Sequence, residues 1–237
     1  MKKLLISSAV LSLIASSTAS AGVMDGWSGE AGASGSRTTG NTETTDAGLN
    51  LNLVKEADVW RHKFRATADY GTISGEDAKR RFDLGYQIDR DITDRLYAYG
   101  NADYFQDEFG SFKNGYFAGA GIGYKFVLPD PLQWDLESGL GFRHQKDRLS
   151  VTTDELAYRG ASRIKYQLND NVSVYNDTEL LYSSSDTYIW NETGITAQLF
   201  GDLAARASYR IDHHSNVPVG SVKTDTISRI GVVYTLK

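Results

Sequence analysis

The stretch WRHKFRATADY, residues 60–70, alternates apolar or aromatic side chains with polar ones along its whole length. Successive side chains of a β-strand point to opposite faces, so this pattern predicts a strand with one largely apolar face and one charged face. A tilted strand of about 9–11 residues crosses a bilayer, and this stretch is long enough to do so. The even positions are Trp60, His62, Phe64, Ala66, Ala68 and Tyr70, and the odd positions are Arg61, Lys63, Arg65, Thr67 and Asp69.

The same two-residue period recurs along the chain and predicts twelve strands, with boundaries uncertain by a few residues. The segment after residue 78 repeats it, with Phe82, Leu84, Tyr86 and Ile88 on the apolar face. The predicted strands are 26–36, 45–55, 59–71, 78–89, 95–106, 114–127, 132–145, 154–168, 171–183, 187–200, 203–211 and 224–236. Short turns are predicted at 56–58, 90–94, 128–131, 169–170 and 201–202, and they alternate with longer loops.

A sheet of long strands with an exposed apolar face must close into a barrel, because lipid cannot hydrogen-bond the open edges of a sheet. We therefore predict an all-β fold, a transmembrane antiparallel β-barrel of twelve strands with both termini periplasmic, at the short-turn side. The alternative is a secreted β-sandwich or soluble ligand-binding barrel, whose strands are usually shorter. A mean hydropathy of −0.38 suits either, since only alternate residues of a membrane strand face lipid.

Aromatic residues concentrate near the predicted strand ends and indicate two interfacial girdles. Those beside the short turns are Trp60, Phe126, Trp134, Tyr166, Phe200 and Tyr234. Those toward the longer loops are Tyr70, Tyr104, Tyr116, Tyr182 and Tyr188.

The N-terminus has the layout of a secretory signal peptide: Lys2 and Lys3, an apolar run over residues 4–15, and a small-residue segment ending at Ala21. We predict a cleaved signal at 1–21, a barrel over 22–237 and a bacterial outer-membrane location. Loss of the two lysines takes the formal charge from −5 to −7, which argues against a nucleic-acid partner. The chain has no cysteine, so no disulfide or thiol nucleophile is available.

The last predicted strand fits the C-terminal spacing read by barrel-assembly machinery, which makes that machinery an expected partner. The signal residues are Arg229, Gly231, Tyr234 and Leu236. The chain ends in Lys237 rather than an aromatic residue, which departs from that pattern.

Four segments together resemble the YdiY-like salt-induced outer membrane protein family, domain of unknown function 481. They are the Gly40-Asn41-Thr42 turn after the strand that begins near Trp27, residues 121–124 (GIGY), residues 137–143 (ESGLGFR) and residues 216–226. The resemblance covers nearly the whole of 22–237. It implies an outer-membrane barrel, brings no catalytic residues with it, and associates the chain by name with salt response.

One segment suggests an enzymatic alternative. His213 and Ser215 reproduce the His-x-Ser spacing by which outer-membrane lipases attack esters, with Asp225 as a candidate orienting acid. Pro218 disfavours regular pairing nearby, and we expect this segment to lie in a long loop. We predict no enzymatic role and keep a lipid-ester hydrolase as the alternative.

The polar faces of the strands place charges of both signs in the predicted lumen. The candidate pore-lining residues are Arg61, Arg65, Arg81, Glu137, Arg143, Arg159, Arg163, Lys165, Arg206, Arg210 and Arg229. These charges either pair and fill the lumen, giving a structural envelope component, or line a narrow diffusion channel with slight anion preference. The lumen glycines either make room for long side chains or permit bending of the sheet; they are Gly119, Gly121, Gly123, Gly139 and Gly141.

No spacing of ligands predicts a metal or cofactor. His62 and His144 are isolated from each other, and Asp147, Asp170 and Asp186 read as turn formers rather than calcium ligands. The expected partners are therefore outer-membrane lipids, the assembly machinery, and small ions or solutes.

Overall fold

The computed structural model describes residues 25–38, 44–126 and 128–237. The predicted signal peptide and the Gly40-Asn41-Thr42 turn lie outside these residues. The described residues form twelve strands: β1 Trp27–Thr38, β2 Thr44–Ala57, β3 Trp60–Ile73, β4 Glu76–Asp91, β5 Leu96–Asp107, β6 Phe112–Phe126, β7 Leu132–Asp147, β8 Thr152–Asn169, β9 Val172–Ser183, β10 Thr187–Phe200, β11 Leu203–His214 and β12 Thr224–Leu236.

The strands form one closed antiparallel barrel in which each strand pairs with its neighbours in sequence. Closure comes from pairing of β1 with β12, between Gly29 opposite Leu236 and Ser34 opposite Gly231. This ladder has six residue pairs among the described residues, whereas β1 pairs with β2 over twelve. The prediction of a twelve-stranded closed barrel is confirmed. In the described ranges, no helix has the length and apolar character needed to cross a bilayer.

The barrel is apolar outside and polar inside. Large apolar side chains stand exposed on the outer wall, among them Leu140 at 69 % and Leu156 at 79 % exposure. Buried side chains include charged ones that face the lumen, such as Asp89 and Arg159. The two faces follow the two-residue period of the sequence, because each strand sends alternate side chains to the outer wall and to the lumen.

The connections divide the barrel into two ends. We call the end formed by residues 58–59, 92–95, 128–131, 170–171 and 201–202 the turn end, and the end formed by 74–75, 108–111, 148–151, 184–186 and 215–223 the loop end. One connection predicted to be long is short, because Ser74 and Gly75 alone join β3 to β4. Both have positive φ, 52° and 83°, as expected for a tight hairpin turn.

Two local predictions are wrong. β11 continues to His214 rather than ending at residue 211, because His213 and His214 still pair with β10 and His213 also pairs with Thr224 of β12. Tyr188 belongs to no outer girdle, because its hydroxyl donates to Asp212 and its ring stacks on His214 inside the barrel.

Candidate functional site

A buried charge cluster fills one side of the lumen at mid-height. Arg159 of β8 is 2 % exposed and donates to Glu137 Oε2 at 2.8 Å and to Glu179 Oε2 at 2.6 Å. Gln87 donates to the second oxygen of Glu137, also at 2.8 Å. Each buried charge therefore has an opposite charge and hydrogen bonds, which is the condition for stable burial of ions.

Two tyrosines of β5 complete this cluster by lying across glycines of the next strands. Tyr97 donates to Glu137 Oε1 at 2.9 Å, and the ring of Tyr99 lies 5.2 Å from the guanidinium carbon of Arg159. A Cβ at Gly123 would overlap the Tyr97 ring, and one at Gly121 would come within 2.8 Å of Tyr99 Cζ. Of the two alternatives for the lumen glycines, these contacts favour room for long side chains.

A second charge cluster joins walls that lie far apart around the barrel. Arg81 of β4 donates to Asp212 Oδ2 of β11 at 3.2 Å, and Arg210 Nε donates to the same oxygen at 2.9 Å. Arg81 also binds Asp83, with its Nε 2.8 Å from Oδ2. Because β4 and β11 are not neighbours, the bond between Arg81 and Asp212 crosses the lumen, whereas the other two lie along single strands.

Trp190 of β10 marks the place where two lumen cavities meet. The cavity toward the turn end has a volume of about 370 Å³ and the cavity toward the loop end about 110 Å³. Both are lined by Arg65, Thr67, Trp190 and Arg210. The Arg210 guanidinium carbon lies 4.4 Å and that of Arg65 5.6 Å from the centroid of the buried indole. We call these four residues the constriction.

The two cavities differ in charge. The turn-end cavity is lined by more cations than carboxylates: Arg65, Arg163, Lys165, Arg206, Arg210 and Arg229 against Glu30, Asp135, Asp177 and Glu192. In the loop-end cavity carboxylates are in excess: Asp83, Asp103, Asp107, Glu179, Asp212 and Asp225 against Arg65, Arg81, Arg143 and Arg210. The charged residues shared by both cavities are arginines.

Asp186, in the loop between β9 and β10, organises the loop end. It accepts from His214 Nδ1 at 2.6 Å, Arg143 Nη2 at 3.1 Å, Ser215 Oγ at 3.2 Å and the backbone N–H of Asn216 at 3.1 Å. Burial opposes its ionisation, but the hydrogen bond from His214, with the Asn216 N–H and the Arg143 charge, lowers the pKa of Asp186 to about 2.

The loop end is also bridged across the barrel. Ser111, in the β5–β6 loop, donates to the carbonyl oxygen of Val222 in the β11–β12 loop at 3.1 Å. Below this bond, the rings of Phe112 and His214 lie 4.7 Å apart between centroids. Since β5–β6 and β11–β12 lie on opposite sides of a twelve-stranded ring, these contacts span the mouth.

The candidate hydrolase residues do not come together. His213 faces outward and its Nδ1 lies 2.8 Å from Thr224 Oγ1. Ser215 instead contacts Asp186 and accepts from the backbone N–H of Thr187 at 2.7 Å. Asp225 lines the loop-end cavity. Without a bond between histidine and serine, the activated nucleophile of the hydrolase hypothesis is missing.

The eleven candidate pore residues divide into two groups. Arg65, Arg81, Arg143, Arg163, Lys165, Arg206, Arg210 and Arg229 line the cavities, whereas Arg61, Glu137 and Arg159 lie in the packed part of the lumen. Of the candidate assembly residues, Arg229 binds Asp69 in the lumen, Gly231 pairs with β1, Tyr234 is half-exposed on the outer wall, and Leu236 pairs with Gly29.

Trp190, Tyr97 and Tyr99 were missed as lumen residues. The signal was present in the alternation: Trp190 has the same parity as Glu192, and both tyrosines have the parity of Asp103. Charge alone does not identify these positions, because aromatic side chains also occupy the lumen face. Over residues 25–38, 44–126 and 128–237, no three His, Asp or Glu side chains are grouped so as to hold a metal ion.

The chain is similar to a protein family and to solved structures of outer-membrane barrels. A family model described as "Protein of unknown function, DUF481" matches residues 30–236. Among solved structures, the NanC porin is similar with a TM-score of 0.55 at 13 % identity, over 87 % of this chain and 100 % of the porin. The COG4313 outer membrane channel from Pseudomonas putida F1 gives a TM-score of 0.54 at 10 % identity, over 89 % and 95 %. No curated protein sequence matches significantly.

Proposed function

This chain belongs to the DUF481 family, and from that premise we propose that it is a narrow diffusion channel of the bacterial outer membrane with slight anion preference. The observation that carries the proposal is the constriction, where two polar cavities meet between Arg65 and Arg210 beside Trp190.

The membrane location is supported by the outer wall. Exposed apolar side chains such as Leu140, Leu156 and Ile230 would be unfavourable in water as a continuous band, and they match the lipid-facing band of outer-membrane barrels. In this location the first 21 residues direct export, and the assembly machinery recognises the last strand. Both termini lie in the periplasm at the turn end, and outer-membrane lipids surround the wall.

We base the slight anion preference on the charge at the place where the two cavities meet. Selectivity is set where an ion passes closest to fixed charges, and both charged constriction residues are arginines. Their charge is partly compensated, because Arg65 binds Asp103 at 3.2 Å and Arg210 binds Asp212 at 2.9 Å. The preference is therefore small, and the carboxylates of the loop-end cavity reduce it further.

The passage admits only small ions or solutes. The Trp190 indole is 6 % exposed and lies close to two cations, and the loop end is crossed by the Ser111–Val222 bond. We propose no enzymatic activity, since the chemistry of this lumen is that of paired charges around a narrow path.

A second candidate function is a closed structural barrel of the envelope. The observation that favours it is the filled side of the lumen, where Arg159, Glu137 and Glu179 are paired and buried. The two functions share a fold and differ in whether ions cross the constriction.

Conductance of the purified protein in a planar lipid bilayer separates them. We expect small unitary current steps and, under a salt gradient, a reversal potential displaced toward that of the anion. Trp190→Ala removes the indole from the constriction and should enlarge each step. Trp60→Ala, which removes a half-exposed indole at the turn end of the outer wall, is the matched control and should leave the step unchanged.

A folded barrel that stays silent, together with a silent Trp190→Ala variant, would overturn the channel and leave the structural role. Folding is checked independently by the mobility difference between heated and unheated samples on gels. A current that grows equally in both tryptophan variants would place the path elsewhere than at Trp190.

A further inference from the structure

The outer wall carries a polar patch on β9 and β10. Asn176 and Thr178 of β9 and Asn191 and Thr193 of β10 have the parity of the outward residues Tyr182 and Ile195. Thr178 pairs with Asn191, and Asn176 pairs with Thr193. All four lie near the middle of their strands, at the height where a membrane protein faces hydrocarbon. We call these four residues the amide patch.

The amide patch forms a closed ring of hydrogen bonds. Asn176 Nδ2 donates to Thr193 Oγ1 at 2.8 Å, and Thr193 Oγ1 donates to Asn191 Oδ1 at 3.3 Å. Asn191 Nδ2 donates to Thr178 Oγ1 at 2.7 Å, and Thr178 Oγ1 donates to Asn176 Oδ1 at 3.2 Å. Each hydroxyl therefore donates once and accepts once.

The ring leaves each amide half satisfied. An asparagine side chain has two N–H donors and a carbonyl with two lone pairs, and the ring uses one of each. Asn176 and Asn191 thus each present one N–H and one lone pair outward. Lipid tails offer no partner for them, and an unpaired polar group in an apolar medium is costly.

The amide patch is surrounded by mostly apolar side chains. On the flanking strands the outward residues paired with the patch are Ser162 and Ile164 of β8 and Tyr209 and Ile211 of β11. Toward the strand ends, apolar side chains such as Leu180 and Ile189 border the patch. The result is a polar centre within an apolar frame.

We propose that the β9–β10 wall is the contact surface of a homodimer in the membrane, with a second copy of this chain related by a two-fold axis along the membrane normal. A two-fold contact needs a surface that complements itself, and the amide patch does, because each asparagine offers both a donor and an acceptor. Reciprocal pairing of the amides of Asn176 and Asn191 across the axis satisfies the N–H groups that lipid leaves unpaired.

The available area agrees with a dimer at the lower limit of stable interfaces. Four strands about 5 Å apart under an apolar band about 25 Å tall present roughly 500 Å² per copy. Two copies then bury about 1,000 Å², near the smallest area typical of a specific protein interface. The dimer rests on the membrane location proposed above, but it does not require an open lumen. Its test therefore does not depend on a conductance measurement.

Cross-linking tests the contact directly, because the chain contains no cysteine. Thr193→Cys places a single thiol in the amide patch, and Ala66→Cys places one on the outward face of β3, on the opposite wall. After mild oxidation of bacterial envelopes, Thr193→Cys should give a disulfide-linked homodimer and Ala66→Cys should stay monomeric. Equal dimer from both variants, no dimer from either, or a Thr193→Cys adduct to another protein would overturn the proposal. Absence of the protein from the membrane fraction would instead refute the membrane location.

Reversible association gives a second measurement. In vesicles of phosphatidylcholine, energy transfer between labelled copies should fall on dilution with lipid, and Asn176→Leu/Asn191→Leu should weaken the dimer about tenfold, or roughly 1.4 kcal/mol. Urea unfolding of the same double variant checks that the monomer still folds, because Thr178 and Thr193 lose the partners that the ring gives them. The matched control is Ala66→Leu/Ala68→Leu on β3. Unchanged association in the asparagine variant, or equal weakening in the control, would overturn the contact.

Discussion

The central guanidinium carbon of Arg210 lies 4.4 Å from the centroid of the Trp190 indole. The same arginine binds Asp212 through two nitrogens, so the indole is held by a side chain that is itself fixed. Arg65 approaches the same ring at 5.6 Å. The Trp190 indole therefore lies close to two cations where the two cavities meet, so ion passage can be compared with and without it.

Arg65→Gln should make the channel less anion-selective. Removing one charge about 8 Å from the path, at an effective dielectric near 40, changes the energy of an ion by about 1 kcal/mol, or roughly fivefold in relative permeability. The reversal potential under a salt gradient measures this. Arg80→Gln removes an exposed arginine that binds Asp77 and Glu108 at the loop end, and its reversal potential should match that of the unaltered protein.

Arg159→Met should destabilise the barrel by about 3–5 kcal/mol, because Glu137 and Glu179 are left buried without their main cation. Urea unfolding in detergent micelles, followed by tryptophan fluorescence, gives the free energy of unfolding. Adding Glu137→Gln and Glu179→Gln to the variant should recover part of the loss. A single variant as stable as the unaltered protein would contradict the role assigned to this charge cluster.

Gly123→Ala should cost about 1–3 kcal/mol of stability, because its methyl group overlaps the ring of Tyr97 and the surrounding lumen is packed. Gly100→Ala is the matched control on the adjacent strand, where the nearest atoms to an added Cβ are 3.9 Å away. Thermal unfolding of the two variants in the same detergent compares them. Tyr97→Ala combined with Gly123→Ala should remove the overlap, and equal losses in both glycine variants would contradict it.

Asp186 should make the loop end sensitive to acid. Its pKa in the folded barrel is about 2, below the value of about 3.9 in an unfolded chain, so its contribution of roughly 2 kcal/mol is complete above pH 5 and is lost as the pH falls from about 4 to 2. Asp186→Asn lacks this titration. The difference in urea stability between the two proteins should therefore be largest near pH 7 and shrink toward pH 2, and a difference independent of pH would contradict the assignment.

Much of the barrel could be predicted from alternation alone. In residues 60–70 every second side chain is apolar or aromatic. In the strand Trp60–Ile73, Trp60 and Tyr70 of this set are exposed and Asp69 of the other set is buried, as the two-residue period of a strand requires. Charged positions of the opposite parity, such as Arg65 and Arg210, could be assigned to the lumen for the same reason.

The constriction could not be predicted, because it depends on which strands face each other across a closed ring. Arg65 of β3 and Trp190 of β10 are 125 positions apart in the chain. They meet because of the tilt and stagger of the strands, which cannot be read from the two-residue period of the sequence. The hydrolase hypothesis was wrong about geometry for a related reason. Spacing two apart places side chains on one face only within a strand, and β11 ends at His214, between His213 and Ser215.

The short ladder between β1 and β12 has a consequence for the order of events in folding. Its six pairs join residues from the two extremes of the barrel sequence, so the first strand has no partner on one side until the twelfth has formed. Until then two edges are open at once, which lipid does not tolerate. Closure of the barrel therefore depends on a contact between residues far apart in sequence, which forms only once the final strand is present.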